Sequence, residues 1–287
     1  DLYFLGNETK CVIHAGAMVN GMFPYEDLYE TNVLGTAELL ALFAFFFPSV
    51  HFVHVSTLGL LCGGVTSEVI PTPTTGLDAK SGYAQTKWVA EQLILLSSVE
   101  YKPGMNVRVC RPGVIGGSLR AGACNPNDFV VNLLCGIIQL KQVCLERTPL
   151  PSVFNLIPVD FVADVVVTLA DPFPPGEVAV FHACAPTLTK LSDIAKWIVR
   201  AGLTLCEVAP DDFIRSLQNS VPPDSPLFPY KHDLIARAMH GRSLPSDDDD
   251  QLTAIPSTYN TQALIRFPPH LSYQTFEKYL HFFQNHQ

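Results

Sequence analysis

The sequence predicts an α/β protein: a doubly wound, mainly parallel sheet followed by a smaller, mostly helical C-terminal region. Three observations predict it. Short apolar runs such as Cys11-Val12-Ile13-His14 and Val107-Arg108-Val109-Cys110 read as strands buried on both faces. Stretches of helical pattern alternate with these runs, which is the order of βαβ units in a parallel sheet. After Ala185 the texture changes, with frequent prolines and short helices separated by loops. The expected division is residues 1–184 for the sheet domain and 185–287 for the second region.

The elements follow in order. The run Cys11–His14 is a strand ending in the tight turn Ala15-Gly16-Ala17. Residues Glu30 to Phe47 read as a helix stopped by Pro48. His51 to Val55 is the next strand, followed directly by Ser56-Thr57. A Gly-, Thr- and Pro-rich loop covers Gly63 to Lys80. Ser81 opens a helix through Ser97, and Val107 to Cys110 is a third strand ended by Arg111-Pro112-Gly113. Helical patterns span Asp128 to Leu140 and Asp160 to Leu169, and Val178 to His182 is a further strand. The four consecutive aspartates after Ser246 read as a solvated loop. Thr275 to Asn285 reads as a closing helix with aromatics along one face.

Composition narrows the functions. Hydrophobic residues make up 48% and charged residues 16% of the 287, enough apolar material for a core and unlike a disordered chain. The formal net charge of −9 opposes nucleic acid and anionic lipid as partners, while leaving room for a local site for a small anion. Eight cysteines form no C-x-x-C pair, and several sit inside apolar runs. They read as reduced thiols in a cytoplasmic setting, with no metal site. The longest greasy stretch, Leu39 to Phe47, is far short of the ~20 residues a membrane span needs.

Tyr83-Ala84-Gln85-Thr86-Lys87 is a Y-x-x-x-K motif on an expected helix. Residues four apart share a helical face, so the lysine ammonium lies near the tyrosine hydroxyl. A neighbouring cation favours the phenolate and suits the phenol to acid–base work. By itself the motif is weak, and a surface pair is the simpler reading. Its context adds weight. Thr57 sits just past the end of a buried strand, and open α/β sheets bind ligands outside the carboxyl ends of their strands. There Thr57 could donate to a substrate oxygen, or Ser56 and Thr57 could merely turn the chain. His14 and His54, near strand ends, read as packed residues or as the edge of a ligand site rather than metal ligands. Asn32 reads either as a structural clamp near the site or as a plain helix residue. Asn125 to Asp128 reads as a cap for the following helix rather than as the border of a substrate channel, and Asp160 as a helix start.

Together Thr57, Tyr83 and Lys87 resemble the Ser/Thr–Tyr–Lys triad of the short-chain dehydrogenase/reductases. Val12 to Asn20 resembles that family's strand and turn beside the adenosine half of the cofactor. Asn32-Val33-Leu34-Gly35-Thr36 resembles its N-V-x-G-T helix. Arg111 to Gly116 resembles the R-P-G-x-I-x-G segment that passes the nicotinamide, and Ile157 to Ala163 the V-P-V-D-Y-V-A segment of the extended group. The spacing from Val19 to Tyr25, the run Ser81 to Glu91, Phe129 to Leu140 and Tyr259-Asn260-Thr261 are similar to the thioester-reductase branch. That branch holds the reductase domains of nonribosomal peptide and polyketide synthases, carboxylic acid reductases and the aminoadipate reductase.

The resemblance implies a Rossmann-type fold and an NADPH-dependent oxidoreductase. The expected substrate is an acyl thioester on coenzyme A or on the phosphopantetheine of an acyl or peptidyl carrier protein. Thr57, Tyr83 and Lys87 are the implied catalytic residues. Ala15, Gly16, Ala17, Tyr83, Lys87, Pro112, Gly113 and Val114 are the implied cofactor contacts. The product would be an aldehyde, or an alcohol after a second reduction.

One part of the family pattern has no counterpart. The family begins with a strand, a glycine-rich turn and a helix that cradle the pyrophosphate. Cys11–His14 corresponds to its fourth strand, so about three βα units, on the order of 80–100 residues, are expected before Asp1. Gly113 to Gly117 is not a substitute, because a loop follows it where a phosphate-binding helix would be needed. The chain is therefore expected to be a fragment, with an exposed apolar sheet edge, unable to hold cofactor or turn over alone. Two rivals stand: another extended short-chain enzyme, such as a nucleotide-sugar epimerase or a hydroxysteroid-type dehydrogenase, and a non-catalytic remnant.

Overall fold

The computed structural model describes residues 8–46, 50–61, 67–69, 81–98, 105–146, 149–172, 178–239, 256–265 and 271–285. The aspartate run after Ser246 and most of the loop from Gly63 to Lys80 lie outside them.

The chain opens with β1 (Cys11–His14), α1 (Tyr25–Tyr29), a π-helical turn over Glu30–Leu34 and α2 (Gly35–Phe46). The helical stretch thus starts earlier than Glu30, because Pro24 serves as its N-cap and the acids Glu26 and Asp27 fill the first turn. Then come β2 (His51–Val55), a 3₁₀ turn at Leu58–Leu60, α3 (Gly82–Leu96), β3 (Val107–Pro112), β4 (Val114–Gly116), α4 (Phe129–Leu140), β5 (Gln142–Val143), β6 (Val153–Phe154), β7 (Leu156–Pro158) and α5 (Val159–Leu169). The remainder is β8 (Val178–Ala183), β9 (Thr189–Lys190), α6 (Leu191–Arg200), β10 (Cys206–Glu207), α7 (Pro210–Ser220), α8 (Lys231–Met239), α9 (Tyr259–Leu264) and α10 (Tyr273–Asn285).

These elements form two compact units. The first holds residues 1–113, 161–184 and 256–267, and the second holds 114–160, 185–255 and 268–287. The partition is not a single cut. Only Gly113 separates β3, in the first sheet, from β4, which pairs instead with β7. Residues 114–160 accordingly belong with the C-terminal unit.

In the first unit four parallel strands lie in the order β1-β2-β3-β8. Helices α2 and α3 contribute Leu40, Phe43 and Ile94 to one apolar cluster with Phe52, Val107, Val109 and Val180 of the strands. Phe43 meets Phe52 edge-on, ring centroids 5.2 Å apart. Every residue of β3 is buried, as a central strand covered on both faces requires. β1 differs: among the described residues only β2 pairs with it, and Ile13 is 44% exposed. Met18, Val19, Phe23, Tyr29 and Leu34 are also exposed apolar residues of this part of the chain. Among the described residues no helix is long and apolar enough to cross a membrane.

Helix α3 begins at a tight junction. Ser81 caps it by accepting from the Ala84 amide at 3.1 Å. A Cβ on Gly82 would stand 2.5 Å from backbone atoms of Pro24 and Tyr25. Backbone cannot yield as a side-chain tip does. Gly82→Ala is expected to destabilise the fold by about 1–3 kcal/mol, measured as a lowered denaturation midpoint. A midpoint unchanged from the wild type would contradict this packing.

In the second unit α4 is capped by Asp128, whose carboxylate accepts from Val130 N at 2.8 Å and Val131 N at 3.3 Å. Asp160, expected as a helix start, lies in the first turn of α5 and also anchors a loop. The helix starts at Val159, and the Asp160 carboxylate accepts from Ser118 Oγ at 3.2 Å and from the Leu119 amide, fixing the loop after β4. Gly116 and Gly117 lie against Tyr279 of α10, and a Cβ on Gly117 would fall 2.6 Å from Gly122 O. Gly116, which ends β4, and Gly117 answer close packing, and among the described residues the next helix begins only at Phe129.

Candidate active site

Three adjacent parallel strands end together, and the expected site residues of the first unit follow those ends. Ala15-Gly16-Ala17 leaves β1, Thr57 leaves β2, and Pro112-Gly113 closes β3. Gly113 N extends the ladder by donating to Ala183 O at 2.9 Å. Val114 opens β4 and belongs to the second unit.

Lys87 is buried, and its Nζ donates to Val55 O at 2.8 Å. That carbonyl stands two residues before Thr57, so the ammonium is fixed at the end of β2. Burial pulls the lysine down to about 8, and the Glu91 carboxylate opposes the shift. Tyr83 is half-buried one turn nearer the start of α3. Because α3 leads from β2 into the parallel strand β3, its start lies at the carboxyl ends of the strands. Thr57 is extended, and its Oγ1 accepts from Gly59 N at 3.1 Å. With an oxygen lone pair so occupied, the hydroxyl proton is directed elsewhere.

Asn32 is a clamp. It is buried within the π-helical turn, a backbone irregularity that often accompanies functional sites. Its Oδ1 accepts from Met18 N at 2.7 Å, and its Nδ2 donates to Met18 O at 3.1 Å and to Thr86 Oγ1 at 3.0 Å. One side chain thus ties the turn after β1 to the helix that carries Tyr83 and Lys87.

Thr36 Oγ1 donates to Asn32 O at 2.7 Å, so the 2.9 Å contact with His14 Nε2 has histidine as donor. Burial, reinforced by the Lys87 ammonium, lowers His14 to about 4. His54 is completely buried beside it, ring centroids 5.1 Å apart. Burial, then Lys87 and His14, hold it well below the usual imidazole range. Both histidines are neutral packing groups at pH 7, and among the described residues no cluster of three metal-ligating side chains forms. Burial pushes Cys110, Cys124 and Cys184 up to about 12, which denies each a thiolate at neutral pH.

Two features were not anticipated from the sequence. Arg111, wholly buried, donates from Nε to Glu91 Oε1 at 3.0 Å and from Nη2 to Glu91 Oε2 at 2.7 Å. Glu91 follows Lys87 by one turn and Tyr83 by two, so this fork holds the face of α3 that carries both residues. The helical spacing 83-87-91 was visible, but its partner on β3 was not. The second feature is Glu68, which gathers donors from β8 and α9.

The buried ammonium at a strand end fits the ribose hydroxyls of a nicotinamide nucleotide. The chain contains no G-x-G-x-x-G turn to cradle a pyrophosphate.

The fold is that of an extended short-chain dehydrogenase/reductase. Residues 1–166 match the NAD-binding family described as male sterility protein, and the chain belongs to that family. It is 29% identical over 234 residues to the L-2-aminoadipate reductase large subunit of Eremothecium gossypii, a match covering 76% of this chain and 16% of that protein. It is 30% identical over 223 residues to a component of the linear gramicidin synthase of Brevibacillus parabrevis, covering 75% and 4%. The chain therefore spans a small part of the length of these curated relatives. Among solved structures, the terminal R domain from the myxalamid PKS-NRPS biosynthetic pathway superposes with a TM-score of 0.79 at 25% identity, covering 99% of this chain and 70% of that one. The nicotinamide-binding class of the site is thus matched by the family.

Proposed function

We propose that this chain forms the catalytic part of an NADPH-dependent reductase. Its substrate is an acyl thioester held on the phosphopantetheine of an acyl or peptidyl carrier protein, or on coenzyme A. The observation that carries the reading is Lys87, buried and bonded to Val55 O two residues before Thr57, on the same helical face as Tyr83. The names of the relatives support the substrate class, since they are an aminoadipate reductase, a component of a peptide synthase and a terminal R domain. NADPH rather than NADH is carried by the family resemblance.

When bound, the dinucleotide supplies hydride to the thioester carbonyl carbon. Thr57 donates its hydroxyl proton as a hydrogen bond to the carbonyl oxygen and steadies the negative charge that develops there. Tyr83 gives its phenolic proton to that oxygen, forming a hemithioacetal. The hemithioacetal hydroxyl returns its proton to the Tyr83 phenolate as the carbonyl re-forms and the C–S bond breaks, the leaving pantetheine thiolate takes a proton from solvent, and an aldehyde is released. Lys87 hydrogen-bonds the ribose and, as a cation, favours the phenolate left on Tyr83.

The test is an assay of the full natural protein with NADPH and an acyl-phosphopantetheine thioester. Equimolar NADPH oxidation and aldehyde release are expected. Indifference to thioesters with turnover of a nucleotide sugar or a steroid would move the chain to another branch.

The same assay gives a pH prediction. Lys87 is protonated below about 8 and loses its charge above that value. The expected kcat/KM therefore falls as pH rises through about 8. A profile flat to pH 9.5 would remove the lysine charge from the reaction.

A further inference from the structure

Glu68 lies in the chain between Thr57 and Tyr83, and its carboxylate accepts four hydrogen bonds. It accepts from His182 N at 2.7 Å, from Thr261 Oγ1 at 2.7 Å, from Thr261 N at 3.3 Å and from Asn260 N. Three of these bonds converge on Oε1 and one reaches Oε2. Asn260 Nδ2 also donates to Val180 O at 2.9 Å. One carboxylate thus binds the start of α9, 193 residues further along the chain, to β8.

The next link runs to the reaction. Val69, beside Glu68, presents its carbonyl to Arg111 Nη1 at 3.4 Å, and His182 Nε2 meets the same nitrogen at 3.4 Å. His182 is itself fixed, with Nδ1 donating to Ser257 O at 2.9 Å. Arg111 therefore sits in a frame. Two of its sides, Val69 and His182, are set by Glu68 and the α9 segment. Its third side is the fork to Glu91 on α3. The depth and rotation of α3 determine where Tyr83 and Lys87 stand relative to Thr57.

We propose that Glu68 is a positioning residue: by clamping α9 to the carboxyl end of β8 it braces Arg111, and through Glu91 it sets the catalytic helix. Glu68 touches neither substrate nor cofactor in this scheme. The proposal rests on the roles given above to Thr57, Tyr83 and Lys87. Displacements of ~1 Å in such a frame cost up to ~10²-fold in rate.

The experiment compares Thr261→Val, which keeps shape but removes the hydroxyl donor, with Thr261→Ser and Glu68→Gln in the full natural protein. The first readout is kcat per titrated active site. Thr261→Val is expected to lower it about 3- to 10-fold and Glu68→Gln about 10- to 100-fold, with both KM values within about twofold and near-complete rescue in Thr261→Ser. A residue that only stabilises the fold would lower the folded fraction and leave this number unchanged. The second readout is hydrogen–deuterium exchange of α3 amides, which needs no turnover and is expected to quicken in Thr261→Val. Unchanged kcat in both Thr261→Val and Glu68→Gln overturns the proposal, as does unchanged α3 exchange. Should the wild type not reduce thioesters at all, the functional reading fails, and the exchange readout still decides the mechanical link.

Discussion

Replacing Tyr83 by phenylalanine is expected to lower kcat for thioester reduction by at least ~10²-fold while leaving KM nearly unchanged. The substitution removes one oxygen and keeps the ring. Tyr83 is half-buried near the start of α3, and the substitution leaves the Ser81 cap of that helix in place. What disappears is the proton donor for the carbonyl oxygen. Thr57 remains to hydrogen-bond that oxygen, so the residual rate measures how much polarisation alone achieves. Circular dichroism of the variant should match the wild type. A kcat within a few-fold of wild type would take Tyr83 out of the mechanism.

Replacing Glu91 by alanine is expected to destabilise the chain by about 3–5 kcal/mol. Arg111 is wholly buried, and Glu91 supplies two charge-assisted bonds to its guanidinium. Removing the carboxylate leaves a cation in the interior whose partners among the described residues, Val69 O and His182 Nε2, are neutral. The guanidinium cannot escape by losing its proton. His182 cannot help by changing state, because burial and the Arg111 charge hold it down to about 3. A paired exchange, Glu91→Leu with Arg111→Met, should recover most of the loss, because no buried charge remains. Urea denaturation of the single and paired variants checks both statements. A loss under about 1 kcal/mol for Glu91→Ala would mean that water reaches Arg111.

The parts of this structure that were legible in the sequence are local ones. Cys11–His14, His51–Val55 and Val178–Ala183 are apolar runs bounded by turns, and each is a strand of the parallel sheet. Ser81 announced α3, and the four-residue spacing of Tyr83 and Lys87 placed them on one face of it. Asn32 was balanced between two readings, because a buried clamp and an ordinary helix residue look alike until Met18 and Thr86 are in place.

The parts that were not legible are long-range. Arg111 and Glu91 are twenty residues apart, and Glu68 and Thr261 are 193 apart. Nothing in composition or periodicity pairs them. The interleaving of the two units is equally silent, since β3 hands over to β4 across Gly113 without a change of texture. Asp160 shows the same limit on a small scale. An acid in a first helical turn reads as a helix signal, but its partners Ser118 and Leu119 lie forty residues back.

The most direct measurement is a crystal structure of the full natural protein with oxidised cofactor and an acyl-pantetheine thioester. The account requires the thioester carbonyl oxygen to lie within about 3.2 Å of both Thr57 Oγ1 and Tyr83 Oη, with Lys87 Nζ on the ribose hydroxyls. A carbonyl oxygen bound away from both hydroxyls would contradict it.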